Sequence, residues 1–247
     1  MPDVGTISVL GSPSAAEVKD RLGYLPEEKG LYKKMKAADI IAYFGRLKGL
    51  NKTIAAERAV QLLERYGLGE WADKKCEALS KGMGQKVQIL GTLIHEPDLV
   101  ILDEPFSGLD PVNVELMRQI ILDMKTAGRT VIFSTHVMEQ AEQICDNLLL
   151  INGGEKVLDG TLAEIKGAEG KAIQVEYTGD GSVFGKLTGV ARVTDAGQQA
   201  EIIMEDGIGA DDILAQLVGV VGIRRFEVAE PSLHEIFIRS VSEEVAS

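Results

Sequence analysis

Apolar residues recur along this chain in two rhythms, one helical and one strand-like, and their alternation predicts the fold class. From Ala37 to Leu47 they fall at 37, 40, 41, 44 and 47; from Ile54 to Tyr66 they fall at Ala59, Leu62, Leu63 and Tyr66. Both stretches carry the three-to-four spacing of a helix with one buried face. Leu99 to Leu102 is instead an unbroken apolar run, and Thr130 to Ser134 is a second strand-like segment. Between them Val114, Met117, Ile120, Ile121 and Met124 mark one helical face, closed by Gly128. Strand, helix, strand in that order predicts parallel strands joined by a right-handed crossover. Upstream, Gly5 to Leu10 predicts a short strand before a Gly11-Ser12-Pro13 turn, and Val18 to Tyr24 a strand entering a loop punctuated by Pro26 and Gly30.

Downstream, Val137, Met138, Ala141, Ile144 and Cys145 face one side of a further helix. Asn147 to Ile151 and Lys156 to Leu158 flank Gly153-Gly154 and predict a hairpin. After about Ile165 the pattern changes to short strands at Ile173 to Tyr177, Val190 to Thr194, Glu201 to Met204 and Ile223 to Val228. A helix marked by Ile213, Leu214, Leu217 and Val218 opens on Asp211-Asp212, acids suited to a helix N-terminus, and Leu233 to Val241 predicts a closing helix. This reads as a small α+β accessory domain.

Composition narrows the classes. The 247 residues are 45% hydrophobic and 26% charged, enough for a substantial core. A formal net charge of -12 argues against nucleic-acid binding through a basic surface. Cys76 and Cys145 stand far apart, which predicts free thiols rather than a disulfide or zinc site and fits a reducing cytoplasm. No stretch approaches a membrane span, and the opening MPDVGTI lacks the basic and apolar regions of a secretory signal.

The chemistry concentrates in LVILDEPFSGLDP, Leu99 to Pro111. A buried parallel strand ending in Asp103-Glu104 presents, at the carboxyl edge of a sheet, one carboxylate to hold Mg²⁺ and another to orient an attacking water. The bland alternative is an acidic pair capping a helix after a strand. Upstream, Leu79-Ser80-Lys81-Gly82 predicts a helix running to about Ile94, with Ser80 either an ordinary N-cap or part of an anion site. Downstream, His136 follows the strand VIFST, as a structural histidine or as one whose hydrogen bonding serves a phosphate. Glu27, in GYLPEEKGLY, is either a solvated loop acid or a metal-reaching carboxylate.

Together LSKGMGQK, LDEPFSGLDP and FSTH resemble the ATP-binding cassette (ABC) ATPases, and the closing EPSLHEIF (Glu230 to Phe237) resembles the accessory domain of sodium- and drug-exporter-like members. The resemblance covers nearly the whole chain. It implies an α/β fold of the P-loop NTPase type over residues 1–165 lacking its front part, a helical subdomain at about 37–90, and an α+β accessory domain at 166–247. It implies ATP and Mg²⁺ as cofactors. Asp103 would hold the metal, Glu104 polarise water and His136 position the γ-phosphate. Ser80, Lys81 and Gly82 would complete the site of a second ATPase subunit, with Asp110 in the loop linking the two sites and Glu27 where a metal-contacting Gln usually stands. Lys81 replaces a Gly and Met83 a Gln of the usual LSGGQ loop, with Gln85 following two residues later. The implied partners are that second subunit, identical or not, and a transmembrane permease, and the implied location is the cytoplasmic face of the membrane.

One expected motif is absent. No GxxxxGK[ST] loop occurs: Lys52-Thr53 and Lys125-Thr126 lack the preceding glycine. The opening resembles the segment after the phosphate-loop helix, so the expectation is that the loop, its strand and its helix precede Met1. The Asp103 strand would then lose a neighbour and the sheet expose an edge. A chain without that loop is expected to bind ATP poorly, and the second reading is a docking or regulatory module without a nucleotide site.

Overall fold

The computed structural model describes residues 4–14, 16–27, 30–168, 172–205, 207–229 and 231–246. The opening Met1 to Asp3, Glu28 and Lys29 in the loop after the first strand, and Glu230 of EPSLHEIF lie outside the described residues. Two compact units emerge, Met1–His136 and Val137–Ser247.

The first unit is built on a three-stranded parallel sheet in the order β1 (Leu22–Leu25), β2 (Leu99–Asp103), β3 (Thr130–Ser134). Register is continuous from Leu22 opposite Leu99 through Asp103 opposite Ser134. Two sequence expectations are corrected here. The Asp103 strand keeps a neighbour on each side, and among the described residues the unpaired edges of the sheet are those of β1 and β3. Nor is β2 dry on both faces: Val100 and Leu102 are fully buried, while Ile101 lies in register with exposed Tyr24 and Ile132 on the other face and is itself exposed. The Gly5 to Leu10 strand is also absent. Val9 bridges only to Ser12 across a turn with positive φ at Leu10 and Gly11, because a single short segment gains no ladder without a partner strand.

Helices α1 (Ala37–Leu47), α2 (Lys52–Arg65) and α3 (Lys81–Leu93) pack through residues including the periodicity-marked Ile40, Ile41, Ala59 and Leu63, together with Ile89 and Leu90 of α3, all fully buried. Gly91 permits the close approach of α3 to α1, since a Cβ there would come within 2.6 Å of the Phe44 ring. Helix α4 (Pro111–Thr126) forms the crossover from β2 to β3. It is capped by Asp110 with Pro111 in its first turn, and ends before Gly128 at φ +75°. Cys76 is buried and Cys145 partly so; neither forms a disulfide, and burial pushes the Cys76 thiol up.

The end of α2 is tied to α4. The Tyr66 hydroxyl donates to Asp123 Oδ2 at 2.9 Å, and Arg65 pairs with the same oxygen at 2.8 Å. Burial first, then the bond to Asp123 and its charge, push the Tyr66 phenol from 10 to about 12. The folded chain therefore keeps a proton that the unfolded chain releases above pH 10, so this contribution is intact below pH 10 and is lost between pH 10 and about 12. Denaturant midpoints taken at about pH 9 and about pH 11 are expected to fall more in the native chain than in Tyr66→Phe. Equal falls would remove Tyr66 from the alkaline transition.

The second unit begins with α5 (Met138–Ile144) and the hairpin β4 (Asn147–Asn152)–β5 (Glu155–Thr161), turned at Gly153-Gly154, both at positive φ. Helix α6 (Leu162–Ala168) has little apolar periodicity. Its signal is Thr161-x-x-Glu164, a reciprocal capping box in which Thr161 N–H donates to Glu164 at 2.9 Å and Glu164 N–H to Thr161 Oγ1 at 3.2 Å. An antiparallel sheet follows in the order β7 (Val190–Asp195), β8 (Gln199–Met204), β6 (Ala172–Thr178), β9 (Gly222–Ala229). Helix α7 (Ala210–Leu217) packs Ile213 and Leu217 onto Ile173, Val175, Tyr177 and Ile202.

Helix α8 (Leu233–Ala246) gives the EPSLHEIF segment a physical role. Ser232 and Glu235 form a second capping box, Glu142 of α5 accepts the Leu233 N–H and pairs with Lys166, and Leu233 and Ile236 pack with Ala141 and Ile165.

Candidate functional site

The three parallel strands bring Leu25, Asp103 and Ser134 to one carboxyl edge, and the sequence-marked residues form two groups, one at this edge and one where α3 and α4 begin. The first is Asp103, Glu104 and His136. Asp103 Oδ1 accepts the Ser134 hydroxyl at 2.6 Å. Glu104 leaves the strand at φ +45°, a left-handed conformation uncommon for a residue with a Cβ, and its N–H donates to Ser134 Oγ at 3.1 Å. Its side chain, 19% exposed, sets Oε1 2.9 Å from His136 Nδ1, while Oε2 is buried with no hydrogen-bond partner among the described residues. An uncompensated buried carboxylate oxygen is costly. It marks a position where a water or ligand donor would be held. His136 is 75% exposed, so one ring face of the pair is open to solvent.

The second group is Ser80, Lys81, Gly82 and Asp110, where the N-termini of α3 and α4 meet. Ser80 caps α3, its side chain accepting the Met83 N–H at 3.2 Å. The bland cap reading is therefore realised, and the backbone amides it leaves open still face the start of the helix. Gly82 admits Asn113 of α4, whose amide a Cβ would meet at 2.5 Å, and Asn113 in turn donates to Asp110. Asp110 accepts the Val112 and Asn113 N–H groups at 3.1 Å each. The bonds from Asn113 hold its carboxyl below the usual range. The Lys81 ammonium lies over Gly108, which sits at φ +65°, so a side chain at 108 would collide with it.

Glu27 joins neither group. It lies two residues beyond the end of β1 at the same sheet edge, exposed, and no hydrogen bond ties it to Asp103 or Glu104 among the described residues. Two further residues, to which the sequence reading gave no role, hold the site together. Ser134 bridges Asp103 and Glu104, and Gln85 on α3, 3% exposed, donates to the Pro105 carbonyl directly after Glu104. A buried amide in an otherwise amphipathic helix was the available signal for Gln85. Ser134 had none, since its partners lie 30 and 31 residues away.

Among the described residues no three His, Cys, Asp or Glu side chains cluster as a metal cage. Mg²⁺ takes one or two carboxylates and completes its shell with water and substrate phosphate. Asp103 offers such a carboxylate, with Oδ2 unpartnered among the described residues.

A parallel sheet with paired carboxylates at the carboxyl end of its central strand places the first unit among α/β nucleotide-binding domains. The comparisons sharpen that class. Residues 1–107 match the ABC transporter family, and residues 160–241 match the family described as ATP-binding protein DrrA1-3-like, C-terminal domain. The chain is 42% identical over 240 residues to the uncharacterized ABC transporter ATP-binding protein YhaQ of Bacillus subtilis, covering 96% of this chain and 80% of that one. It is 31% identical over 249 residues to Nod factor export ATP-binding protein I of Cupriavidus metallidurans, covering 99% and 81%. Among solved structures, cbiO1 of Clostridium perfringens, part of the ABC transporter complex cbiONQ, matches at TM-score 0.59 and 27% identity over 66% of this chain and 68% of that one. The chain belongs to the ABC transporter ATP-binding proteins.

Proposed function

We propose that this chain is the ATP-hydrolysing subunit of an ABC exporter, with an ATPase domain at 1–165 and an accessory domain at 166–247. The observation that carries the reading is the Asp103–Glu104–His136 cluster at the carboxyl edge of the sheet. In it Asp103 holds Mg²⁺ through its free oxygen, Glu104 accepts a proton from the attacking water, and His136 contacts the γ-phosphate. Bound Mg²⁺ supplies charge neutralisation on the ATP phosphates. Ser80, Lys81 and Gly82 at the α3 N-terminus, together with Asp110, face the nucleotide of a second subunit, where helix-end N–H groups and the Lys81 ammonium favour an anion. Glu27, exposed in the loop after β1, is a further carboxylate this reading sets toward the metal, although no bond ties it to Asp103 or Glu104 among the described residues.

Export is supported by the printed name of the Nod factor relative. Coupling to a permease on the cytoplasmic face of the membrane is supported by the family itself. No helix among the described residues is long and apolar enough to cross a membrane, so the transmembrane path belongs to the partner. A cavity of about 320 Å³, lined by Tyr24, Pro26, Phe44, Leu47, Gln88 and His95, gives a permease segment an apolar seat beside the loop after β1.

The second reading, a docking module, is favoured by one observation: no GxxxxGK[ST] occurs in the sequence. Sedimentation with and without MgATP separates the two. A polypeptide carrying a strand and GxxxxGK[ST] ahead of this chain is expected to dimerise with ATP, and this chain alone to remain monomeric. If the extended polypeptide neither binds ATP nor dimerises, the docking reading replaces the ATPase one.

A further inference from the structure

Ser134 ends β3 directly across from Asp103 in the parallel register. Its hydroxyl donates to Asp103 Oδ1 at 2.6 Å and accepts the Glu104 N–H at 3.1 Å. The directions follow from chemistry. A carboxylate only accepts and a backbone N–H only donates, so the single hydroxyl proton goes to Asp103 and a lone pair is left for Glu104.

Glu104 needs such a partner. Its φ of +45° is a conformation that a residue with a Cβ keeps only where its surroundings hold it. Its carbonyl is held by the Ser107 N–H at 3.1 Å and its side chain by His136 at 2.9 Å, leaving the backbone nitrogen to Ser134. The geometry points to Ser134 as a positioning residue: one hydroxyl orients the Asp103 carboxylate and locks the left-handed turn that aims Glu104. Bonding Oδ1 leaves Oδ2 as the Asp103 oxygen available to a divalent cation. This assignment rests on the reading of Asp103 and Glu104 as the carboxylates of the nucleotide site.

The test compares the full native chain with Ser134→Ala and Ser134→Thr. Threonine keeps the hydroxyl and suits a strand end; alanine removes it. By NMR hydrogen exchange, the Glu104 amide is expected to exchange about five- to tenfold faster in Ser134→Ala, the scale of one lost hydrogen bond. It is expected to stay near native in Ser134→Thr, with α1 amides unchanged in both. Native-like Glu104 exchange in Ser134→Ala overturns the assignment, and so does a rise shared by α1 amides, which marks a general loss of stability. A parallel titration with Mn²⁺ and ATP, run in a polypeptide carrying a strand and GxxxxGK[ST] ahead of this chain and followed by electron paramagnetic resonance, tests the underlying reading. Asp103→Ala is expected to abolish bound Mn²⁺, Ser134→Ala to weaken it severalfold, and Ser134→Thr to restore it. Binding by the extended polypeptide that ignores Asp103→Ala, or no Mn²⁺ binding by it at all, tells against the metal role of Asp103, while the amide comparison in the native chain still decides Ser134.

Discussion

Replacing Glu104 with glutamine is expected to lower ATP hydrolysis by about 10²–10⁴-fold while nucleotide binding persists, the scale of a lost general base. The substitution is close to isosteric. It retains an oxygen and adds an NH₂ that can donate to His136 Nδ1 in place of the present 2.9 Å contact. The backbone bond to Ser134 and the turn at φ +45° involve no side-chain atom of Glu104. What the change removes is the capacity to take a proton, at a carboxylate whose second oxygen is buried without a partner among the described residues. The assay is steady-state phosphate release beside retention of bound ATP, in a polypeptide carrying a phosphate-cradling loop ahead of this chain. Turnover equal to that of the parent would take Glu104 out of the water-activating role and leave its burial unexplained.

Gln85→Ala is expected to destabilise the first unit by about 3 kcal/mol, through a cavity left by a 3% exposed side chain and a stranded Pro105 carbonyl. Because Pro105 directly follows Glu104, the loss also frees the loop that carries the catalytic candidate. Gln85→Leu separates the two contributions: it fills most of the volume and forfeits the bond, so its cost is expected to be about 1–2 kcal/mol. Urea midpoints give both values. A leucine variant as stable as the native chain would show that the amide anchors nothing, and a leucine variant worse than alanine would show a misfit in shape.

Much of the site was legible because its signals are local. Asp103-Glu104 follows an apolar run in sequence, Ser80 precedes a helix by one residue, and Asp110 precedes Pro111; each places a functional group by chain continuity alone. The helices α1 and α4 and the strand β3 were legible for the same reason, their periodicity being a property of neighbouring residues. What failed to show was non-local. The Gly5 to Leu10 alternation looked like a strand, yet a strand exists only with a partner, and none lies beside it among the described residues. Helix α6 was missed because its signal is a capping box rather than an apolar face. Glu27 was marked by its place in the loop, and the structure ties it to neither group.

The amino-acid sequence alone determined the parallel βαβ order, the position of two carboxylates at a strand end, the helix caps and the change of character in the last third of the chain. These depend on spacing and on turn chemistry within a few residues. Tertiary structure decided which strands are neighbours, so that β2 sits between β1 and β3 and the outer strands carry the open edges. It also decided that Ser134 and Gln85 reach the Asp103–Pro105 segment from 20 to 31 residues away. The physical reason is that a hydrogen bond between distant residues is set by register and packing, which arise only when separate elements bury their apolar faces against one another.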